Sequence, residues 1–267
     1  MLIPDSVRQE DMPMMVYFLC KLVSSGKYTE DEAINLLTAS TISGFSKYKS
    51  ESNPIADVVR FTRDEGKFIK EGQDGILYSD FSEEEISTFA LFMDAILKKM
   101  QIDEKNKFIR MLKWLLVEKR DLSRFTKTSD YPAAMNIDGV NDENTVHGFL
   151  FWAEAMGVIT FEGKKGGTVV YSLESILERY VERHPELSKR GAIPAREFLD
   201  ELTEEVFFIP MCIHNNTLSF ALSQGIRILE QAGMIELLTA NDSGDSWHLY
   251  PSEVFLKGNN FSNIRVC

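Results

Sequence analysis

One local pattern occurs three times in this chain and constrains its fold more than any other feature. In each copy an amphipathic helix runs into a glycine, which is followed by an apolar pair, a polar turn and a further apolar stretch. The copies are centred on Gly66, Gly157 and Gly233. A glycine just past a helix supplies the left-handed residue that closes it, and two apolar stretches around a Gly, Asp or Asn turn predict a hairpin. Helix, glycine and hairpin together form the second half of a winged helix.

The predicted hairpin strands are 68–69 with 76–78, 158–159 with 168–171, and 234–235 with 247–249. The intervals between the three glycines are unequal, which argues against a solenoid array and favours modules with different insertions. We therefore predict a mainly α fold with small β hairpins (α+β class), containing two to three winged-helix units joined by a helical segment.

The N-terminal winged-helix-like domain is predicted to span residues 1–81. Its helical signals are the apolar run from Met12 to Val23, a capping box formed by Thr29 and Glu32, and Pro54 at the start of a third helix. Residues 82–190 are predicted to form a helical linker plus a second winged helix. Residues 191–267 are predicted to form a C-terminal winged-helix-like domain.

The overall charge disfavours autonomous, non-specific binding to nucleic acid. The chain has 267 residues and a formal net charge of −12, whereas neutralising phosphates requires clustered Lys and Arg. No apolar run approaches the roughly 20 residues of a membrane span, and the N-terminus has no basic signal region. The three cysteines of the chain are too few for a disulfide framework. These features predict a cytoplasmic protein without a membrane partner.

One segment departs from the acidic average. Residues 98–127 contain ten basic and four acidic side chains, so this stretch is a candidate contact for nucleic acid or an acidic partner. The alternative is a solvated helix face that offsets acidic neighbours in the same molecule. The candidate contact residues, including two in the second hairpin turn, are Lys98, Lys99, Lys105, Lys107, Arg110, Lys113, Lys119, Arg120, Arg124, Lys127, Lys164 and Lys165.

The helices that precede the three glycines lack the surface of a DNA-reading helix, which needs basic and amide side chains. Arg60 and Arg63 are outnumbered by neighbouring carboxylates, residues 140–156 contain no Lys or Arg, and Arg227 is matched by Glu230. Winged helices that contact other proteins fit these sequences better.

No catalytic constellation is present in the sequence. Cys212 and His214 form a Cys-x-His pair that Cys20 or His147 would have to complete, but the paired spacing of structural zinc sites is missing. The Gly-rich run 163–167 lies between two predicted strands, whereas a phosphate-binding loop leads from a strand into a helix. We therefore predict neither a metal nor a cofactor, and we do not expect an enzyme.

Several stretches resemble, in order, the DpdG proteins encoded in bacterial 7-deazapurine-in-DNA modification and restriction clusters. These stretches are Phe108–Leu116, Phe151–Gly157 with its Gly-rich hairpin, Ile193–Leu199, Leu218–Ser223, Leu229–Gly233 and Phe261–Ile264. The N-terminal region departs from the family pattern because it lacks a glycine-containing opening. The resemblance implies a non-catalytic accessory component of a DNA-modification or restriction assembly in phage defence, working beside ATPase and nuclease subunits.

The sequence therefore predicts a winged-helix adaptor that binds other protein subunits, with contact to DNA weak or indirect. Two alternatives remain open. One is a transcriptional regulator that places Arg60, Arg63, Lys164 and Lys165 on duplex DNA. The other is a winged-helix subunit of a chromosome-organising ATPase complex. Self-association is also left open.

Overall fold

The structure is a computed structural model that describes residues 13–41, 54–118, 131–140, 143–162, 168–239, 246–251 and 258–267. The fold is mixed α+β, with helices and small, mainly antiparallel sheets. The chain divides into two compact units. The first comprises Met1–Ile109 with Asn136–Ala155, and the second comprises Arg110–Met135 with Met156–Cys267. The division into three domains at residues 81 and 190 stays a prediction.

The α-helices of the described ranges follow one another along the chain as α1 Pro13–Ser25, α2 Glu30–Thr41, α3 Pro54–Arg60, α4 Phe89–Lys99, α5 Lys107–Lys113, α6 Tyr131–Met135, α7 Glu143–Met156, α8 Glu174–Arg183, α9 Ala195–Glu205 and α10 Phe220–Gln231. Single π turns at Phe61–Glu65 and Trp114–Glu118 extend α3 and α5, and 3-10 turns lie at Pro185–Lys189 and Ile209–Cys212.

The strands form two hairpins and two larger sheets. The hairpins are β1 Ile69–Glu71 with β2 Leu77–Ser79, and β3 Ile159–Glu162 with β4 Thr168–Tyr171. The remaining strands are β5 Ala192–Pro194, β6 Ile213–His214, β7 Thr217–Leu218, β8 Ile235–Leu238, β9 Trp247–His248, β10 Asn260–Phe261 and β11 Asn263–Val266. They form one sheet of order β5-β11-β8 and another of order β10-β9-β7-β6.

The first unit begins with three helices followed by the β1–β2 hairpin. The capping box predicted at α2 is present, since the Thr29 amide donates to the Glu32 carboxylate at 2.9 Å. The Leu77 amide donates to the Tyr28 carbonyl at 2.9 Å, so the segment between α1 and α2 pairs with β2. An aromatic core holds the unit together, in which the Phe68 ring stacks on Trp152 with 6.1 Å between ring centres.

The first glycine follows its helix as predicted, but it does not supply the left-handed residue. Gly66 has φ −73°, and Lys67 has φ 55° instead. The cause is the π turn, which ends where the Gly66 amide donates to the Phe61 carbonyl at 2.8 Å. Glycine is needed for space, because a Cβ at Gly66 would come within 2.5 Å of the Phe68 ring. The predicted hairpin itself is confirmed by the β1–β2 pairing.

In the second copy the glycine and the strand pairing match the prediction. Gly157 has φ 82°, in the left-handed region where glycine is favoured, and it joins α7 to β3. The β3–β4 register pairs Ile159 with Tyr171. The turn at 163–167 lies outside the described residues.

The third copy differs from its prediction in the partner of the first strand. Gly233, with φ 72°, closes α10 and leads into β8. β8 pairs with β11, placing Ile235 opposite Val266, whereas 247–248 pairs with β10 and with β7. The predicted 234–235 with 247–249 hairpin is therefore wrong. β11 is a longer partner for β8 than the two-residue strand β9 is, and it contributes the buried side chains of Ile264 and Val266.

The second unit is built around close contact between α8 and α10. Gly225, in the middle of α10, permits this approach, because a Cβ there would lie 2.9 Å from the Glu174 amide nitrogen. The β10-β9-β7-β6 sheet buries Leu218, Trp247 and Phe261. These contacts fix the segment 246–251 and the strand β10 within the second unit.

Candidate interaction surfaces

The basic stretch predicted to contact phosphate or an acidic partner begins at the end of α4. Lys98 and Lys99 lie in the last turn of this helix, where the helix dipole favours cations. The Lys99 ammonium lies 2.9 Å from the Glu85 carboxylate and 4.6 Å from the centre of the Phe81 ring. The charge of Lys99 is therefore balanced within the local structure.

The same stretch continues on α5, with Lys105 just before the helix. Lys107, Arg110 and Lys113 fall on one side of α5, because residues three and six positions apart lie within about 120° of each other on a helix. Phe108 and its apolar neighbours are buried. The structure therefore brings three of the predicted cations onto one helix face. The predicted residues that lie outside the described ranges are Lys119, Arg120, Arg124, Lys127, Lys164 and Lys165.

The cations of the helix that precedes the first hairpin are bound by carboxylates. Arg60 forms an ion pair with Asp57 one turn earlier. Arg63 lies 2.6 Å from Asp64 and also pairs with Glu30 of α2. The hydrogen bond to Asp64 raises the pKa of Arg63, and the same bond lowers the pKa of Asp64. Both arginines assigned to duplex DNA in the regulator alternative are thus engaged within their own unit.

The helix that precedes the second hairpin carries carboxylates without basic residues. Glu143 and Glu154 are exposed on α7, and no Lys or Arg occurs between residues 140 and 156. His147 lies 3.5 Å from Glu143. A surface of this kind repels phosphate, so α7 does not resemble a helix that reads a DNA groove.

The helix that precedes the third glycine is covered by its own chain. Ser223 is fully buried, and Arg227 retains only 3% of its exposure. The Tyr250 amide donates to the Ser223 hydroxyl at 2.8 Å, and the Arg227 guanidinium donates to the Asn259 side-chain oxygen at 2.7 Å. Burial lowers the pKa of Arg227. Tyr250 and Asn259 therefore cover Ser223 and Arg227 of α10, so these two side chains are not placed to contact a DNA groove.

Two of the three cysteines are buried thiols. Cys20 and Cys212 are buried, and burial raises the pKa of both thiols, which opposes formation of the reactive thiolate. His214 is exposed while Cys212 is buried, so the Cys-x-His pair does not converge. Within the described ranges, no group of three or more His, Cys, Asp or Glu side chains is placed to hold a metal ion.

Exposed apolar side chains are the surface feature that sequence reasoning missed. Met14 and Phe18 lie one turn apart on α1, and Tyr78 projects from β2 with 46% of its surface exposed. Leu36 and Ile102 are exposed as well. The sequence contains no clear signal for Tyr78, because Ile76, Leu77 and Tyr78 form a continuous apolar run, and only the structure shows Leu77 buried and Tyr78 exposed. Aromatic residues and Met are enriched at protein interfaces, although single exposed apolar side chains also occur on ordinary protein surfaces.

Comparison of the chain with protein-family models, with curated proteins and with solved structures gave no match. Among the described residues, no helix has both the length and the apolar character needed to cross a membrane.

Proposed function

We propose that this chain is a non-catalytic winged-helix adaptor that binds other protein subunits of a bacterial DNA-modification or restriction complex in the cytoplasm. The observation that carries the proposal is the state of the arginines on the helices before the glycines. Arg60 and Arg63 are bound by carboxylates, and Arg227 is buried under its own chain. On these helices each arginine is therefore either paired with a carboxylate, as the exposed Arg60 is, or buried, as Arg227 is, which leaves little positive charge to bind phosphate.

The order of the strands supports the winged-helix part of the proposal. In a winged helix, the strand before the second helix pairs with the last strand of the sheet. In the second unit the chain order β5, α9, α10, β8, β11 gives a sheet of order β5-β11-β8. In the first unit the Tyr28 segment precedes α2 and bonds to β2, the last strand of the hairpin.

The assignment to a DNA-modification or restriction complex rests on the resemblance to the DpdG proteins. Under this proposal the partners are protein subunits such as an ATPase or a nuclease, and DNA is reached through them. The cations on the α5 face, Lys107, Arg110 and Lys113, then help to steer the assembly towards nucleic acid.

The proposal is tested first by titrating the purified full chain with a fluorescent DNA duplex at several salt concentrations. We expect no saturable binding at micromolar protein and 150 mM salt. A DNA reader that contacts six or more phosphates would bind tightly at low salt and lose about a thousandfold in affinity between 50 and 200 mM. Tight binding with such a slope would refute the adaptor function.

A second test is co-purification with the products of neighbouring genes. We expect the chain to be retained by a partner subunit both as wild type and as a Lys107→Ala/Arg110→Ala/Lys113→Ala variant, because the proposal assigns these side chains to steering rather than to protein contact. The variant is expected to weaken only the association of the assembled complex with DNA. Retention of the chain by none of these products would contradict the proposal.

A further inference from the structure

Tyr78 is an exposed aromatic side chain that is held in one position. It projects from β2 with 46% of its surface exposed. Its hydroxyl donates to the Asp74 carboxylate at 2.9 Å. Its ring packs over Gly72, where an added Cβ would lie 2.7 Å from the ring. A side chain fixed in this way loses little conformational entropy when a partner covers it.

Hydrogen bonds to both carboxylate oxygens also hold the Asp74 side chain in place. The Ile76 amide donates to its second carboxylate oxygen at 3.2 Å, across the turn that Gly75 closes with φ 73°. The Tyr78 hydroxyl, followed by the Ile76 amide, lowers the pKa of Asp74, and Lys27 lowers it further through space. Asp74 is therefore ionised at neutral pH. The same bond raises the pKa of Tyr78, so the phenol remains a donor.

The cation opposite this pair is already engaged. Lys70 stands directly across the hairpin from Tyr78, and its ammonium forms an ion pair with Asp80. The tip of the hairpin therefore presents an aromatic face and a carboxylate side by side, in a chain whose net charge is −12. The ring face and the ionised carboxylate favour an incoming cation over an anion, and Lys27 is the cation that already acts on Asp74 through space.

We propose that the β1–β2 hairpin tip docks an arginine side chain of a partner protein. A guanidinium is planar, stacks on aromatic faces and hydrogen-bonds to carboxylates, and it gives up its hydration more easily than an ammonium. It would stack on the open face of Tyr78 and donate to Asp74. The proposal rests on the adaptor function and specifies the chemistry of one contact. Aromatic residues and arginine are also enriched in the residues that dominate binding at protein interfaces.

The test uses two fluorescent peptides, Gly-Arg-Gly-Arg-Gly and its lysine counterpart, titrated into the full chain while anisotropy is measured. We expect the arginine peptide to bind several-fold more tightly than the lysine peptide. Tyr78→Ala and Asp74→Asn should each weaken the arginine peptide by about three- to fivefold, the range of an exposed cation–π or ion-pair contact. Tyr78→Phe keeps the ring and should weaken binding less than Tyr78→Ala.

Asp200→Asn is the matched control, since it removes one exposed carboxylate from α9. We expect it to leave peptide binding unchanged. Equal binding of the two peptides, an unaltered affinity in Tyr78→Ala, or an equal loss in Asp200→Asn and Asp74→Asn would each overturn the proposal. If the Tyr78→Ala variant does not fold, Asp74→Asn and Tyr78→Phe provide the test instead, because both variants keep the aromatic ring. Failure here leaves the duplex titration unaffected, whereas tight duplex binding would refute the adaptor function itself.

Discussion

Replacing Gly225 by alanine tests how closely α8 and α10 pack in the second unit. A Cβ at this position would lie 2.9 Å from both the Glu174 amide nitrogen and the Leu173 carbonyl carbon, and 3.0 Å from a Leu177 methyl group. The two nearest atoms belong to the backbone, so they cannot move aside by a change of rotamer. The helices themselves must separate to accept the new methyl group.

Two opposing terms set the expected magnitude. In an unhindered helix interior, Gly→Ala is stabilising by about 1 kcal/mol. Overpacking of a tight contact costs about 1–3 kcal/mol, and the backbone contacts at Gly225 place the cost near the upper end. The net effect is a loss of about 2 kcal/mol in the free energy of unfolding of the second unit. For a protein of this size that corresponds to a decrease of about 4–8 °C in Tm.

The assay is thermal unfolding followed by circular dichroism and calorimetry, with amide hydrogen exchange to assign the change to α8 and α10. Gly258→Ala is the control, because a Cβ there meets no atom within 4 Å and the backbone is not left-handed. We expect that control to change stability by no more than about 0.5 kcal/mol. A Gly225→Ala variant that is as stable as the wild type, or more stable, would refute the close approach of the two helices.

Three further variants test the first unit. Thr29→Ala removes the capping box with Glu32 at α2 and should cost about 1 kcal/mol in urea unfolding. Trp152→Ala removes a fully buried indole and should cost about 3–5 kcal/mol in the same assay. The hydrogen bond from Arg63 lowers the pKa of Asp64, so this group stabilises the fold above about pH 4 and loses that effect as the pH falls through its lowered pKa. Asp64→Asn should therefore make the free energy of unfolding less sensitive to pH below about pH 4.

Local signals in the sequence predicted the first three helices and the left-handed glycines at Gly157 and Gly233. The capping box at Thr29 and the hairpin after Gly157 each depend on residues within a few positions of one another. The partner of β8 could not be predicted in this way, because β11 lies at residues 263–266 and the pairing depends on packing across the whole unit. The π turn before Gly66 moved the left-handed residue to Lys67, and helical periodicity gives no signal for such a turn.

The candidate surfaces were harder to predict, because the sequence shows how many charged residues a segment has but not which ion pairs they form in the folded protein. Arg63 pairs with Glu30, and Lys99 pairs with Glu85, across separations that helical spacing does not reveal. Arg227 appeared balanced by Glu230 in the sequence, yet the structure buries it and bonds it to Asn259. The sequence therefore locates the cations, but which of them are available to a partner is decided by tertiary contacts.

The same tertiary contacts bear on the kind of partner that we propose for this chain. On the helices that precede the three glycines, each carboxylate that pairs with an arginine removes one possible contact with phosphate. The carboxylates that remain, such as Asp74 and the two on α7, then determine the sign of the exposed surface. Electrostatic complementarity raises the rate of encounter with partners of opposite charge and disfavours those of like charge. In this acidic chain the same charge distribution that disfavours the DNA backbone would favour protein segments that carry arginine, so the proposed adaptor function and the proposed arginine contact rest on one electrostatic argument.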